Sequence, residues 1–294
     1  MSVVAVVGSA FQAPVLCGRA LLPHHLKTAW GPVVLHRHPE REDAWLLFRH
    51  GLPHRWLPHQ VPWRAHAAAL AEVGCEALLL TSAVGLLDPS LPLGRPLLVA
   101  DLLWPDNLLP DGTPCTMFPE PVPGQGHLVL EEGLFSRALS DQVAALAPVA
   151  AQGPPPRVIF AFVGGPRTKT AAENRFWAAA GAQVNSMSVG PEAVLANELG
   201  VPVAALVVGH KRSGGRAQEP GGQDHGAEDH GAEDHGAEDH GAEDHGAEDH
   251  GAEDHGAAAI DASLHDARQA MEAAVDAFLC QARPVPFGNH LHRM

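Results

Sequence analysis

The chain alternates short apolar runs with polar, glycine- and proline-rich punctuation, and the spacing of the apolar positions predicts its elements. Residues 3–7 form a continuous run of small and β-branched side chains closed by Gly8-Ser9, the pattern of a buried strand and a tight turn. Val33-Val34-Leu35 and Trp45-Leu46-Leu47-Phe48 read as further strands, with His24, His25, His36 and His38 in surface loops. Helical spacing runs from residue 63 to 73, and Gly74 supplies a helix-ending residue. Strands are predicted over 77–80, 96–103, 157–163 and 202–208, with a short extended piece over 184–189. Helices are predicted over 133–146 and 171–180, and another from Pro191, where a proline suits a first turn. Alternating strands and helices indicate one α/β domain.

Beyond Gly209 the pattern fails. Residues 211–222 are polar and glycine-rich, and residues 226–255 are six copies of Gly-Ala-Glu-Asp-His. No side chain in those copies is both apolar and larger than alanine, so burial cannot offset the entropy of ordering, and disorder is expected. Residues 260–282 resume as an amphipathic helix with Leu264, Met271, Val275 and Phe278 on one face. The expected organisation is one domain made of 1–212 and 258–294, interrupted by a low-complexity insertion over 213–257.

The insertion also changes the reading of charge. Its six copies, two acids apiece, account for 12 of the 15 net negative charges and leave 3 for the rest. A nearly neutral body speaks against a nucleic-acid surface. Cys17, Cys75, Cys115 and Cys280 are widely spaced without a C-x-x-C pair, so neither a zinc site nor a disulfide framework is expected, and a reducing cytoplasm fits. There is no signal-peptide pattern at the start and no run near ~20 apolar residues, so no membrane association is expected.

Candidate chemistry concentrates between Arg49 and Arg64, where three arginines and three histidines lie among prolines directly after an apolar run. Arginine presents a planar fork of donors that matches phosphate, and a neighbouring histidine adds a titratable donor. The Gly8-Ser9 turn and Thr81-Ser82-Ala83-Val84-Gly85 also follow predicted strands, and ligands of open α/β sheets collect at the carboxyl ends of strands.

Together these segments resemble the purine nucleoside phosphorylases, within them the 5′-methylthioadenosine phosphorylase branch. The likeness is carried by Val6-Val7-Gly8-Ser9, Arg49-His50-Gly51-x-x-His54, Pro58-His59-x-Val61, Arg64-Ala65 and Thr81 to Gly85. It continues through Gly165-Pro166-Arg167, Ala172-Glu173, Gly181-Ala182, Met187-Ser188-x-x-Pro191-Glu192 and Val194-Leu195-Ala196-x-Glu198-x-Gly200. The resemblance implies a single-domain nucleoside phosphorylase-like fold with a mixed central sheet flanked by helices. It implies phosphorolysis: inorganic phosphate, a co-substrate, attacks C1′ of a purine nucleoside and releases the free base, with no other cofactor and no metal.

By the same resemblance Gly8, Ser9, Arg49, His50, Ser82 and Ser188 would hold phosphate, and Met187 would lie against the ribose. His127 would close the sugar pocket of a neighbouring subunit in a homotrimer. Ala83, Thr168, Lys169, His210 and Lys211 would face the base. The chain departs from the family pattern at Ala10, Pro62-Trp63, Thr168-Lys169 and His210-Lys211. The sugar's 5′ group and the choice among methylthioadenosine, methylthioinosine and a 6-oxopurine nucleoside therefore stay open. The alternative is a catalytically impaired member that binds a nucleoside or metal, and the His/Asp/Glu repeat is a candidate metal buffer.

Overall fold

The computed structural model describes residues 2–213 and 254–293. All of the repeat but its last two residues, and with it the expected disorder over most of 213–257, lies outside the described residues; Asp254 to Ala257, within that expected span, are helical instead. In chain order the strands are β1 (Ser2–Val7), β2 (Val15–Leu16), β3 (Arg19–Ala20), β4 (Leu22–Thr28), β5 (Gly31–His38), β6 (Arg41–Phe48), β7 (Cys75–Leu86), β8 (Pro96–Leu103), β9 (Gly126–Val129), β10 (Arg157–Phe162), β11 (Val184–Ser186), β12 (Val203–Arg212) and β13 (His290–Arg293). The α-helices are α1 (Trp63–Glu72), α2 (Arg137–Ala145), α3 (Ala147–Ala150), α4 (Ala171–Ala179), α5 (Gly190–Glu198) and α6 (Asp254–Gln281).

Nine strands form one mixed sheet in the order β11-β10-β8-β12-β7-β1-β6-β5-β4. β1 runs parallel to β6 on one side and β7 on the other, and its buried run suits a strand covered on both faces. Its side chains alternate between two cores. Val4 and Val6 pack in the cluster that takes in Ala65, Ala69 and Leu70 of α1 and Ala193 and Ala196 of α5. Val3, Ala5 and Val7 pack with Leu139 and Val143 of α2 and Met271, Val275 and Phe278 of α6. The result is a sheet with helices on both faces.

β7 exceeds its expected length: the stretch Thr81 to Gly85 continues the strand instead of turning. Its first half pairs with β1; beyond the end of β1, Gly85 and Leu86 pair antiparallel with β11. The far edge of the sheet thereby curls back on β7. The registers Val7↔Phe48, Val6↔Leu80, Val207↔Ser82 and Phe162↔Ser186 bring the carboxyl ends of β1, β6, β7, β10, β11 and β12 to one rim.

Other differences have similar causes. His24 and His25 lie on β4, and His36 and His38 on β5. His36 and His38 are buried rather than on a surface loop. α2 starts at Arg137, where Ser136 caps it by accepting from the Leu139 N–H. α6 starts at Asp254, before the expected residue 260; Met271, Val275 and Phe278 are buried as expected, while the Leu264 side chain lies outside those described. Among the described helices none is long and apolar enough to cross a membrane.

Candidate active site

At the shared rim lies a cavity of about 510 Å³. Every candidate residue except His127 lines it: Gly8, Ser9, Arg49, His50, Ser82, Ala83, Thr168, Lys169, Met187, Ser188, His210 and Lys211. His127 sits on β9, its ring 5.1 Å from that of His292, outside this chain's own cavity.

One end gathers the anion-fitting groups. Arg49 follows β6, and its backbone N–H continues the ladder to the Val7 carbonyl at 2.9 Å. Its side chain is 1% exposed. Nε and Nη2 donate to the two Glu192 carboxylate oxygens at 2.7 and 2.9 Å, and Nη1 donates to the Thr81 carbonyl at 2.9 Å. Guanidinium carries five N–H groups, so one on each terminal nitrogen remains beyond these bonds. Glycine at position 8 leaves room for this side chain, since a Cβ there would stand 3.0 Å from Nη1.

Glu192 also accepts from the Val189 N–H at 2.9 Å. Val189 has φ 71°, a left-handed backbone that a β-branched residue adopts only under constraint. The carboxylate thus fixes both the arginine and the bend that sets Met187 and Ser188 at the rim. Three hydroxyls meet there, with Ser82 Oγ 2.8 Å from Ser188 Oγ and 3.2 Å from Ser186 Oγ. Ser186 is an addition that a Ser-x-Ser spacing alone does not single out.

His50 differs from its expected part as a donor. Its Nδ1 lies 2.8 Å from the Trp56 carbonyl, which can only accept, so Nδ1 carries the hydrogen. Burial, then the charge of Arg49, lowers its pKa to about 4. Near neutral pH Nε2 is therefore a lone-pair acceptor. Behind it His66, fully enclosed on α1, is lowered to about 3 by burial and then by Arg49. Its Nδ1 has no hydrogen-bond partner.

The middle of the cavity is apolar. A Cβ on Gly165 would stand 2.6 Å from the Met187 sulfur, so the glycine makes room for that thioether beside Pro58. The opposite end rests on the loop before α4 and on the end of β12. α4 begins with a capping box, Thr170 Oγ1 accepting from Glu173 N and Glu173 accepting from Thr170 N. Glu173 also takes both terminal nitrogens of Arg167, at 2.8 and 2.7 Å. Lys169 is lowered to about 8, by burial first and Lys211 second. His210 is lowered to about 4 by burial and then Lys211. His210 and Lys211 lie on β12 itself, not after it.

The residues that sequence reasoning missed here are Asn174 and Asn185, joined at 3.0 Å, with Arg212 and Ser213. Arg212 donates from Nη1 to the Leu91 carbonyl at 2.8 Å.

Among the described residues, His38, Asp276 and Cys280 form a group of metal-ligand make-up, their ligand atoms within 4.8 Å of one another. Glu40 N donates to His38 Nδ1 at 3.3 Å, which puts the ring hydrogen on Nε2, where Asp276 accepts it at 3.1 Å. Arg19 binds the same Asp276 oxygen. That arrangement is an ion-paired hydrogen-bond cluster with a proton where a metal would bind.

The model of the Phosphorylase superfamily matches residues 4–280. The chain belongs to that superfamily. It is 30% identical over 197 residues to S-methyl-5′-thioadenosine phosphorylase 1 of Puccinia graminis f. sp. tritici, covering 62% of each chain. It is 34% identical over 168 residues to a probable S-methyl-5′-thioinosine phosphorylase of Pseudomonas syringae pv. tomato, covering 56% of this chain and 65% of that one. The match thus spans less than two thirds of either relative. The methylthioadenosine phosphorylase of Schistosoma mansoni in complex with adenine superposes with a TM-score of 0.65 at 21% identity, over 96% of this chain and 92% of that one, a likeness of fold.

Proposed function

We propose that the chain catalyses phosphorolysis of the N-glycosidic bond of a purine nucleoside, giving free purine and a (methylthio)ribose 1-phosphate. The observation that carries this is the gathering of Gly8, Ser9, Arg49, His50, Ser82 and Ser188 from separate strand ends into one end of a cavity whose middle is apolar. A phosphate oxygen forms its bond to C1′ as the bond from C1′ to the purine nitrogen breaks, and the bonding pair departs with the base. The sugar becomes cationic in between, so an anion fixed beneath it is stabilising chiefly in the transition state.

The free N–H groups of Arg49 and the three hydroxyls fit the phosphate oxygens. His50, neutral and accepting at Nε2, fits the P–OH of monohydrogen phosphate and would leave the unprotonated oxygens for attack. Met187 fits the sugar.

We also infer a homotrimer in which His127 reaches a neighbour's sugar pocket, and a cytoplasmic enzyme, consistent with four cysteines that are all free. The domain made of 1–212 and 258–294 would act without the repeat. The test is base release from methylthioadenosine, methylthioinosine, inosine, guanosine and adenosine with and without phosphate. Phosphate-dependent release of ribose 1-phosphate or its methylthio analogue supports the reading. Release that ignores phosphate refutes it, and binding without turnover would favour the impaired, ligand-binding member.

A further inference from the structure

We propose that the end of the cavity away from the phosphate groups selects acceptor-rich, electron-poor purines, 6-oxo- and 2,6-dioxopurine nucleosides, over 6-aminopurines, with Lys169 and Lys211 as the specificity-determining residues. This rests on the phosphorolysis reading for its chemistry but on separate residues for its selectivity.

The first ground is charge. Among the described residues no aspartate or glutamate lines the cavity, whereas Arg49, Lys169, Lys211 and Arg212 do. The nearby acids are committed elsewhere: Glu192 to Arg49 and the Val189 N–H, Glu173 to Arg167 and the Thr170 N–H. Arg212 is tied through Nη1 to the Leu91 carbonyl, and the two lysines are the cations of this end with flexible ammonium donors.

The second ground is hydrogen-bond polarity. An ammonium offers three donors and no acceptor. A 6-amino group, itself a donor, would face donors, while a 6-carbonyl would accept from them. Of the two lining amides, the Asn174 carbonyl already accepts from Asn185 Nδ2 at 3.0 Å, leaving Asn185 Oδ1 as one side-chain acceptor against the donors of two ammonium groups. The lining hydroxyls serve either polarity and do not discriminate.

The third ground is the mutual repulsion of the lysines. Lys169 is partly desolvated beside Lys211, and both effects acidify it. An anion between them relieves that cost. A 2,6-dioxopurine, whose second carbonyl makes a ring N–H acidic near neutrality, meets this condition before reaction. Any oxopurine meets it during departure, when the electron pair of the broken bond spreads onto the carbonyl oxygens.

The experiment compares kcat/KM for inosine, xanthosine and adenosine, and for 5′-methylthioinosine against 5′-methylthioadenosine, at saturating phosphate. Wild type, Lys169→Met and Lys211→Met are measured alongside calorimetric binding of hypoxanthine, xanthine and adenine with phosphate present. We expect oxo over amino preference of about tenfold or more, the scale of one charge-assisted hydrogen bond, reduced about tenfold in either variant. Equal or better use of adenosine by wild type, or an oxo-to-amino ratio unmoved in both variants, overturns the proposal. If no nucleoside is turned over, the phosphorolysis reading fails while the free bases still decide selectivity: tighter oxopurines sustain it and tighter adenine refutes it.

Discussion

The two ends of the cavity are built by different means. At the phosphate end the groups follow strand ends locked by hydrogen-bond ladders, and Arg49 is held on three sides by Glu192 and the Thr81 carbonyl. At the base end the cations sit on a loop and on the last turnings of β12, with one another for neighbours. The contrast teaches that position is over-determined where the proposed reaction would grip its anion and left to single side chains where it would choose its leaving group. Disturbing the first end should cost folding; disturbing the second should cost only selectivity.

The strongest way to break that contrast is Glu192→Gln. It leaves the buried guanidinium with a neutral partner, and we expect a loss of about 3–5 kcal/mol in chemical denaturation. The double variant Arg49→Met with Glu192→Met should recover most of that loss while abolishing phosphate-dependent turnover, since a buried ion pair is replaceable by apolar packing. Equal stability of Glu192→Gln and wild type would show that the phosphate end is not over-determined.

Acid is the next largest lever. His66 titrates at about 3 when folded against a usual 6.5, so between those values the unfolded chain binds the extra proton. Stability contributed by the neutral buried ring is intact above pH 6.5 and falls as pH drops, by roughly 2 kcal/mol at pH 5. His66→Gln should flatten this part of the pH–stability curve; an unchanged slope would assign it to other groups.

Ser188→Ala removes one hydroxyl from the Ser82–Ser186–Ser188 group. The KM for phosphate should rise about tenfold, the worth of one hydrogen bond to an ion, with base ranking unmoved. The smallest effect is expected on the stability of Lys211→Met: within about 0.5 kcal/mol of wild type, because it breaks no buried network. A thermal melt lowered as far as that of Glu192→Gln would erase the distinction between the two ends.

Much of the sheet was legible because its central strands are unbroken apolar runs: β1, β8 and β10 appear within one residue of their expected bounds. β7 was only half legible. Thr81, Ser82 and Gly85 look like a turn locally, and they extend as a strand because β12 and β11 supply partners from more than 95 residues away. His36 and His38 of β5 misled for the same reason, since polar rings signal loops until neighbouring strands and, for His38, Asp276 enclose them. Cavity-lining residues announced by local pattern, such as Gly8 and Arg49, were readable. Those defined by a distant partner were not: Asn174 with Asn185, and the bond from Glu192 to Arg49, which joins residues 143 positions apart.

That last bond constrains descent as well as structure. Neither Arg49 nor Glu192 can be exchanged alone without stranding a buried charge, so a lineage that gave up the proposed phosphate would shed its cavity serines long before this couple. The arginine most suggestive of an anion in the sequence is, for that reason, a marker of common architecture. The hydroxyls around it are the better witnesses to continued use.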